Sequence, residues 1–73
     1  MRSDFQYAIE QNKLRSIVRA VGNWSLEQCK HWVWANDLDY AIAGLGDNEL
    51  RYYVVECIFE IWYAKIENAG GAQ

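Results

Sequence analysis

Apolar residues recur along this chain at helical spacing, and small polar residues punctuate the recurrence. In "DFQYAIEQNKLRSIVRAV" the residues Phe5, Ile9, Leu14, Ile17, Val18 and Val21 trace approximately one stripe of a helix. Ser3, with Gln6 three positions later, has the form of a capping box at its start. Gly22-Asn23 supplies the stop, because both residues tolerate the left-handed conformation used after a helix. A second and stronger start follows. Ser25 is placed to cap, Gln28 answers it, and Trp24 and Cys29 occupy the two positions of a hydrophobic staple. That helix is expected to run to about Ala35, where Asn36-Asp37 breaks it. Asp37 can cap a short piece, "LDYAIA", ending at Gly44.

Asp47 is the expected cap of a last helix from Asn48 to about Asn68. Its β-branched and aromatic content is compatible with a strand, but its polar residues are not. At about 100° per residue, Glu49, Glu56, Glu60 and Glu67 fall within roughly 20° either side of one line on a helix surface. A strand would scatter them over two faces. Leu50, Val54, Cys57, Ile58 and Ile61 form one apolar face of this helix, and Tyr52, Val55, Phe59, Trp62 and Ile66 form another. A helix apolar around so much of its circumference belongs between others. Either the first two helices sandwich it, or part of the second face stays open. The fold expected is all-α, a compact bundle of three main helices plus one short helix. It forms a single domain over residues 1–73, with a flexible tail from about residue 69.

Composition narrows the class. Of 73 residues, 52% are apolar and 15% aromatic, too rich for a disordered chain, and there is no proline to interrupt a helix. The net charge of −3 is unevenly spread. Residues 1–30 carry five basic and three acidic side chains, for +2, and residues 31–73 carry two and seven, for −5. Such a polarity suits oriented docking on a charged partner. It lacks the clustered basic face that duplex DNA requires, so no direct duplex binding is expected. "MRSDFQYAIEQNKLR" has no apolar core of a secretory signal, and Glu56 and Glu60 interrupt the longest apolar run, so no membrane association is expected. Two cysteines make no disulfide framework, and the setting expected is reducing and cytoplasmic, the host cytoplasm if the chain is viral.

Chemistry is sparse. The one histidine, His31, points about 160° away from Cys29 on a helix, so Cys29, His31 and Cys57 do not assemble a zinc site. No nucleophile–base pair has workable spacing and no glycine-rich phosphate loop occurs, so neither enzymatic activity nor a cofactor is expected. The aromatic residues are more informative. Trp24 is the staple residue and Trp32 shares the apolar side of its helix. Trp34 lies about 200° from Trp32, with Glu27, Lys30 and His31. Either "LDYAIAG" folds over it, or it is an exposed anchor of the kind enriched in binding hot spots. Arg15 and Arg19, one turn apart, are either solubilising or suited to an acidic partner or phosphate. The candidate partner contacts are therefore Trp34, Lys30, His31, Arg15, Arg19 and Tyr52.

Three resemblances bear on function. "WSLEQCKHWV", through Trp24, Ser25, Glu27 and Trp32, is similar to the opening of sterile-alpha-motif domains, and "LDYAIAGL" to their next helix. This implies a self-association module, although a long helix precedes the match and the middle helices of that family would be missing. "DNELRYYVVECIFEIWYAKI" resembles the last part of Hha-like nucleoid modulators, through Asp47, Asn48, Glu49, Leu50 and the aromatic helix after them. As a whole, the short, proline-free, acidic and aromatic-rich chain resembles small bacteriophage proteins, such as those of Xanthomonas phages, that bind host RNA polymerase. That resemblance implies a steric regulator near the RNA exit region, which blocks promoter use and suppresses termination. The expectation carried forward is a non-enzymatic viral regulator, monomeric or weakly homodimeric, bound to a larger complex such as bacterial RNA polymerase.

Overall fold

In a computed structural model, residues 4–71 are described, with side chains through Glu67. Three helices form, α1 (Asp4–Gly22), α2 (Leu26–Ala35) and α3 (Asp47–Gly71), with a 3₁₀ turn at Asp39–Ile42 between the last two. Among the described residues there is no strand. The fold is all-α, a bundle in which α3 packs against both α1 and α2 while those two barely touch each other. The central position expected for the last helix is therefore the observed one. At about 1.5 Å per residue α3 is about 37 Å long, which accounts for the 38 Å long axis of the molecule.

The core gathers where all three helices meet. Ile17 and Val21 from α1, Cys29 and Val33 from α2, and Leu50, Val54 and Val55 from α3 are buried together. Trp24, Trp32 and Leu38 pack against them, half-buried. The α1 stripe is not the one expected. Glu10, Ile17 and Val21 are buried and Leu14 is half-buried, a line at spacings of four, three and four. Phe5, Ile9 and Val18 are exposed. Ile9 and Val18 lie about 80–100° to either side of that line and Phe5 farther round still. The residue filling the apolar line at its outer end is a glutamate. The Gln6 amide, one turn earlier, donates to its Oε2 at 3.4 Å.

The helix ends show how local chemistry places these elements. Ser25 and Gln28 form the expected capping box, the Gln28 N–H donating to Ser25 Oγ at 3.1 Å and the Ser25 N–H to Gln28 Oε1 at 2.7 Å. At the other end of α2 the Leu38 N–H donates to the Val33 carbonyl at 2.9 Å and the Asp37 N–H to that of Trp34 at 3.1 Å. This is a Schellman closure, with Asp37 in the left-handed region at φ 58°. Asp37 therefore ends α2 instead of capping the next piece, which begins at Leu38 with no side-chain cap. The cap of α3 is Gly46, not Asp47. Glu49 Oε1 accepts from the Gly46 N–H at 3.4 Å, and Asp47 is the first helical residue, where its charge suits the helix dipole. The helix continues to Gly71, beyond the end expected near Asn68 and through the first part of the expected tail. The last two residues of that tail, and the proposed Ser3 cap of α1, lie outside the described residues.

At the end of α1 no left-handed residue is used, contrary to the reading of Gly22-Asn23. The turn is closed instead by the Asn23 N–H on the Ala20 carbonyl and the Trp24 N–H on that of Val21. Arg51 of α3 completes it, its Nη1 donating to the Val21 carbonyl at 3.0 Å and the Trp24 carbonyl at 2.7 Å. One cation thus satisfies the open end of α1 and the entry to α2 together. The α1 and α3 axes run antiparallel, because Val21 meets Arg51 near the start of α3 while Lys13 Nζ sits 5.8 Å over the Trp62 ring farther along.

Two stability predictions follow from these ends. Arg51→Ala removes two charge-assisted bonds and should cost about 2 kcal/mol, lowering the thermal midpoint by roughly 10 °C. An unchanged midpoint would show that the bridge is dispensable. Asp37→Gly relieves the left-handed penalty of a side chain and should raise stability by about 0.5–1 kcal/mol, read as a higher urea midpoint with the same slope.

Candidate protein-binding surface

The second helix is presented firmly. Its capping box and Schellman closure fix both ends, and Cys29 and Val33 anchor its inner side in the core. Trp34, one residue past Val33, is carried about 100° round the helix and out of the core. It is 68% exposed. The segment "LDYAIAG" does not fold over it; Asp39 and Ile42 stand beside it as one wall of a shallow hollow. Glu27, Gln28, Lys30 and His31 form the rest of that hollow, which encloses about 600 Å³. An indole wall carrying both charge signs, open to solvent, suits the side chains of another protein more than a small molecule, which prefers an enclosed site.

Three of the six candidate residues, Trp34, Lys30 and His31, are thereby brought to one place. The others are elsewhere. Arg15 and Arg19 are exposed on α1, on the side turned away from the core line. Tyr52 is 72% exposed on α3 and borders a separate hollow with Val18, Asn48 and Arg51. The six residues do not form one surface. Asp39 and Ile42 are not among the residues the sequence singles out, because whether "LDYAIAG" covers Trp34 or stands beside it is a tertiary choice that spacing does not encode. In a 3₁₀ turn residues three apart lie on the same side, which is what aligns these two toward Trp34.

Zinc-type convergence is absent from the geometry. Cys29 is buried in the core while His31 faces solvent, and among the described residues no group of three histidine, cysteine or acidic side chains is placed to hold a metal. Both thiols are free. Burial pushes the Cys57 thiol up, and the Glu60 and Glu56 carboxylates add to this against an opposing hydrogen bond from Tyr53. Tyr53 is itself raised, chiefly by that bond and then by burial. A thiol held protonated in this way is a poor nucleophile. No described helix is long and apolar enough to cross a membrane.

No family model, no curated protein and no solved structure matches this chain.

The Cys57–Tyr53 pair has a consequence for stability. Both groups keep their protons longer when folded, so above the ordinary thiol range, about 8.5, the native state binds more protons than the unfolded one. Unfolding free energy must then fall as pH rises through that window. Urea midpoints should be level from pH 7 to about 8.5 and decline above it. The double variant Cys57→Ala, Tyr53→Phe should decline less, and an identical decline would remove the pair as its cause.

Proposed function

We propose that this domain is a non-enzymatic protein-binding regulator whose principal contact is the Trp34 surface of α2. The observation that carries this is the exposure of the largest side chain in the chain on a helix capped at both ends, beside charges of both signs. An indole carried on a helix fixed at both ends needs no backbone ordering on binding and has only two side-chain torsions to lose, so it contributes affinity efficiently. Lys30, His31, Glu27 and Asp39 around it set the orientation of the partner. The occupant proposed is a large protein assembly, bacterial RNA polymerase being the one suggested by the whole-chain resemblance to phage regulators. The action is steric: the domain holds a mobile element or blocks a neighbouring factor, and so inhibits initiation or suppresses termination.

The test is capture from bacterial lysate on the immobilised chain, probed for polymerase subunits. The wild type should retain polymerase, and Trp34→Ala should lose about 2 kcal/mol of affinity, some thirtyfold. Wild-type eluates without polymerase would sink the choice of partner. Equal retention by the variant would sink the choice of surface.

A further inference from the structure

The face that α1 and α3 make together, away from α2, has a pattern of its own. Tyr7, Leu14 and Val18 stand on α1 at offsets of zero, seven and eleven, and Tyr52, Phe59 and Tyr63 repeat the same offsets on α3. Offsets of seven and eleven return to nearly one line on a helix, so each trio is a stripe. The stripes meet at one end, where Val18 and Tyr52 border one hollow; at the other end Tyr63 borders Gln6, Ile9 and Glu10 of α1. Tyr7, Val18 and Tyr52 are exposed, and Leu14, Phe59 and Tyr63 are half-buried beneath them. The rims differ in sign. Beyond the α1 stripe come Arg15 and Arg19, both exposed, with the exposed Asp4 on the same line at the far end of the helix. Beyond the α3 stripe come Glu56, one turn from Tyr52, and Glu60 and Glu67, which share a hollow with Phe59 and Tyr63.

We propose that this face is a homodimer interface, in which two copies are related by a twofold axis parallel to the helices, so that Arg15 and Arg19 of each copy bracket Glu56 of the other. Charge selects both the occupant and the axis. Rotation about a line parallel to the helices lays the α1 of one copy over the α3 of the other. The basic rim then meets the acidic rim twice, and all four helices are antiparallel to their neighbours. Rotation about a line across the helices would set arginine on arginine and glutamate on glutamate, which is repulsive. Height agrees as well. Val21 is level with Arg51 and Lys13 with Trp62, so Glu56 stands between the levels of Arg15 and Arg19. A parallel axis preserves level, and the three charges meet without sliding.

Size sets the affinity. The length of α1, about 28 Å, and two helix widths of about 10 Å each set an upper bound of roughly 600 Å² per partner. That is at the lower end of stable interfaces, so the dissociation constant should fall in the micromolar range. The Trp34 surface lies on α2 and remains free in both copies, so this association is independent of the function proposed above.

Sedimentation of the full chain from about 5 to 500 µM is the test, with far-UV circular dichroism confirming that each variant keeps its helices. The wild type should pass from monomer to dimer across the range, and about 1 M salt should weaken it. Glu56→Arg alone, and Arg15→Glu with Arg19→Glu, should each weaken dimerisation about tenfold or more. The three reversals combined should restore it to within about threefold, and Trp34→Ala should leave it unchanged. If a rim variant fails to fold, Tyr52→Arg places a charge within the same face, beside Val18, and should weaken the dimer about tenfold or more. A wild type that stays monomeric throughout overturns the proposal, as do rim reversals without effect or a triple variant that fails to recover.

Discussion

One guanidinium nitrogen holds the three helices in their relative places. Nη1 of Arg51 reaches two carbonyls that belong to different elements, Val21 at the end of α1 and Trp24 at the approach to α2. The Val21 carbonyl also accepts the Trp24 N–H, whereas the Trp24 carbonyl precedes α2 and depends on the guanidinium, so losing it would cost free energy comparable to a lost hydrogen bond. Because α1 and α2 barely touch, the turn between them is set by α3. Everything downstream inherits that placement: the orientation of Cys29 and Val33 inward, and hence of Trp34 outward.

The molecule is uneven along its length. The buried apolar residues of α3, Leu50, Val54 and Val55, all lie in its first half. From Glu56 to Glu67 no residue of α3 is fully buried. There Lys13 Nζ over the Trp62 ring links α1 to α3, and Gln6, Ile9 and Glu10 of α1 share a hollow with Trp62, Tyr63 and Ile66 of α3. The half-buried rings cluster within α3, Phe59 lying 5.6 Å from Trp62 and 6.3 Å from Tyr63. Regions with few buried apolar contacts open at lower free energy than the core. The self-complementary face would add cover where the single chain has least.

Much of this was legible in the residues. The glutamate line on α3 identified a helix, and Glu49, Glu56, Glu60 and Glu67 are all exposed as that line requires. The Ser25–Gln28 box is local chemistry and was readable as such. Arg51 was not, because its acceptors lie 30 and 27 residues away and no periodicity encodes a side chain that reaches across the fold. Glu10 was missed for a related reason, since a stripe assembled from apolar letters passes over a carboxylate that fills an apolar position. The surroundings of Trp34 depended on where the turn Asp39–Ile42 comes to rest against α2, which local spacing does not encode.

The order of the helices along the chain also matters for how the protein comes into being. Since α1 and α2 each rest on α3 and hardly on one another, neither has a surface to settle on before the ribosome has made α3. The nascent polypeptide stays without its hydrophobic anchor until the segment through Val55 has cleared the exit tunnel. Completion of the fold therefore waits for α3, and with no proline in α1, α2 or α3 it then proceeds without a slow isomerisation step.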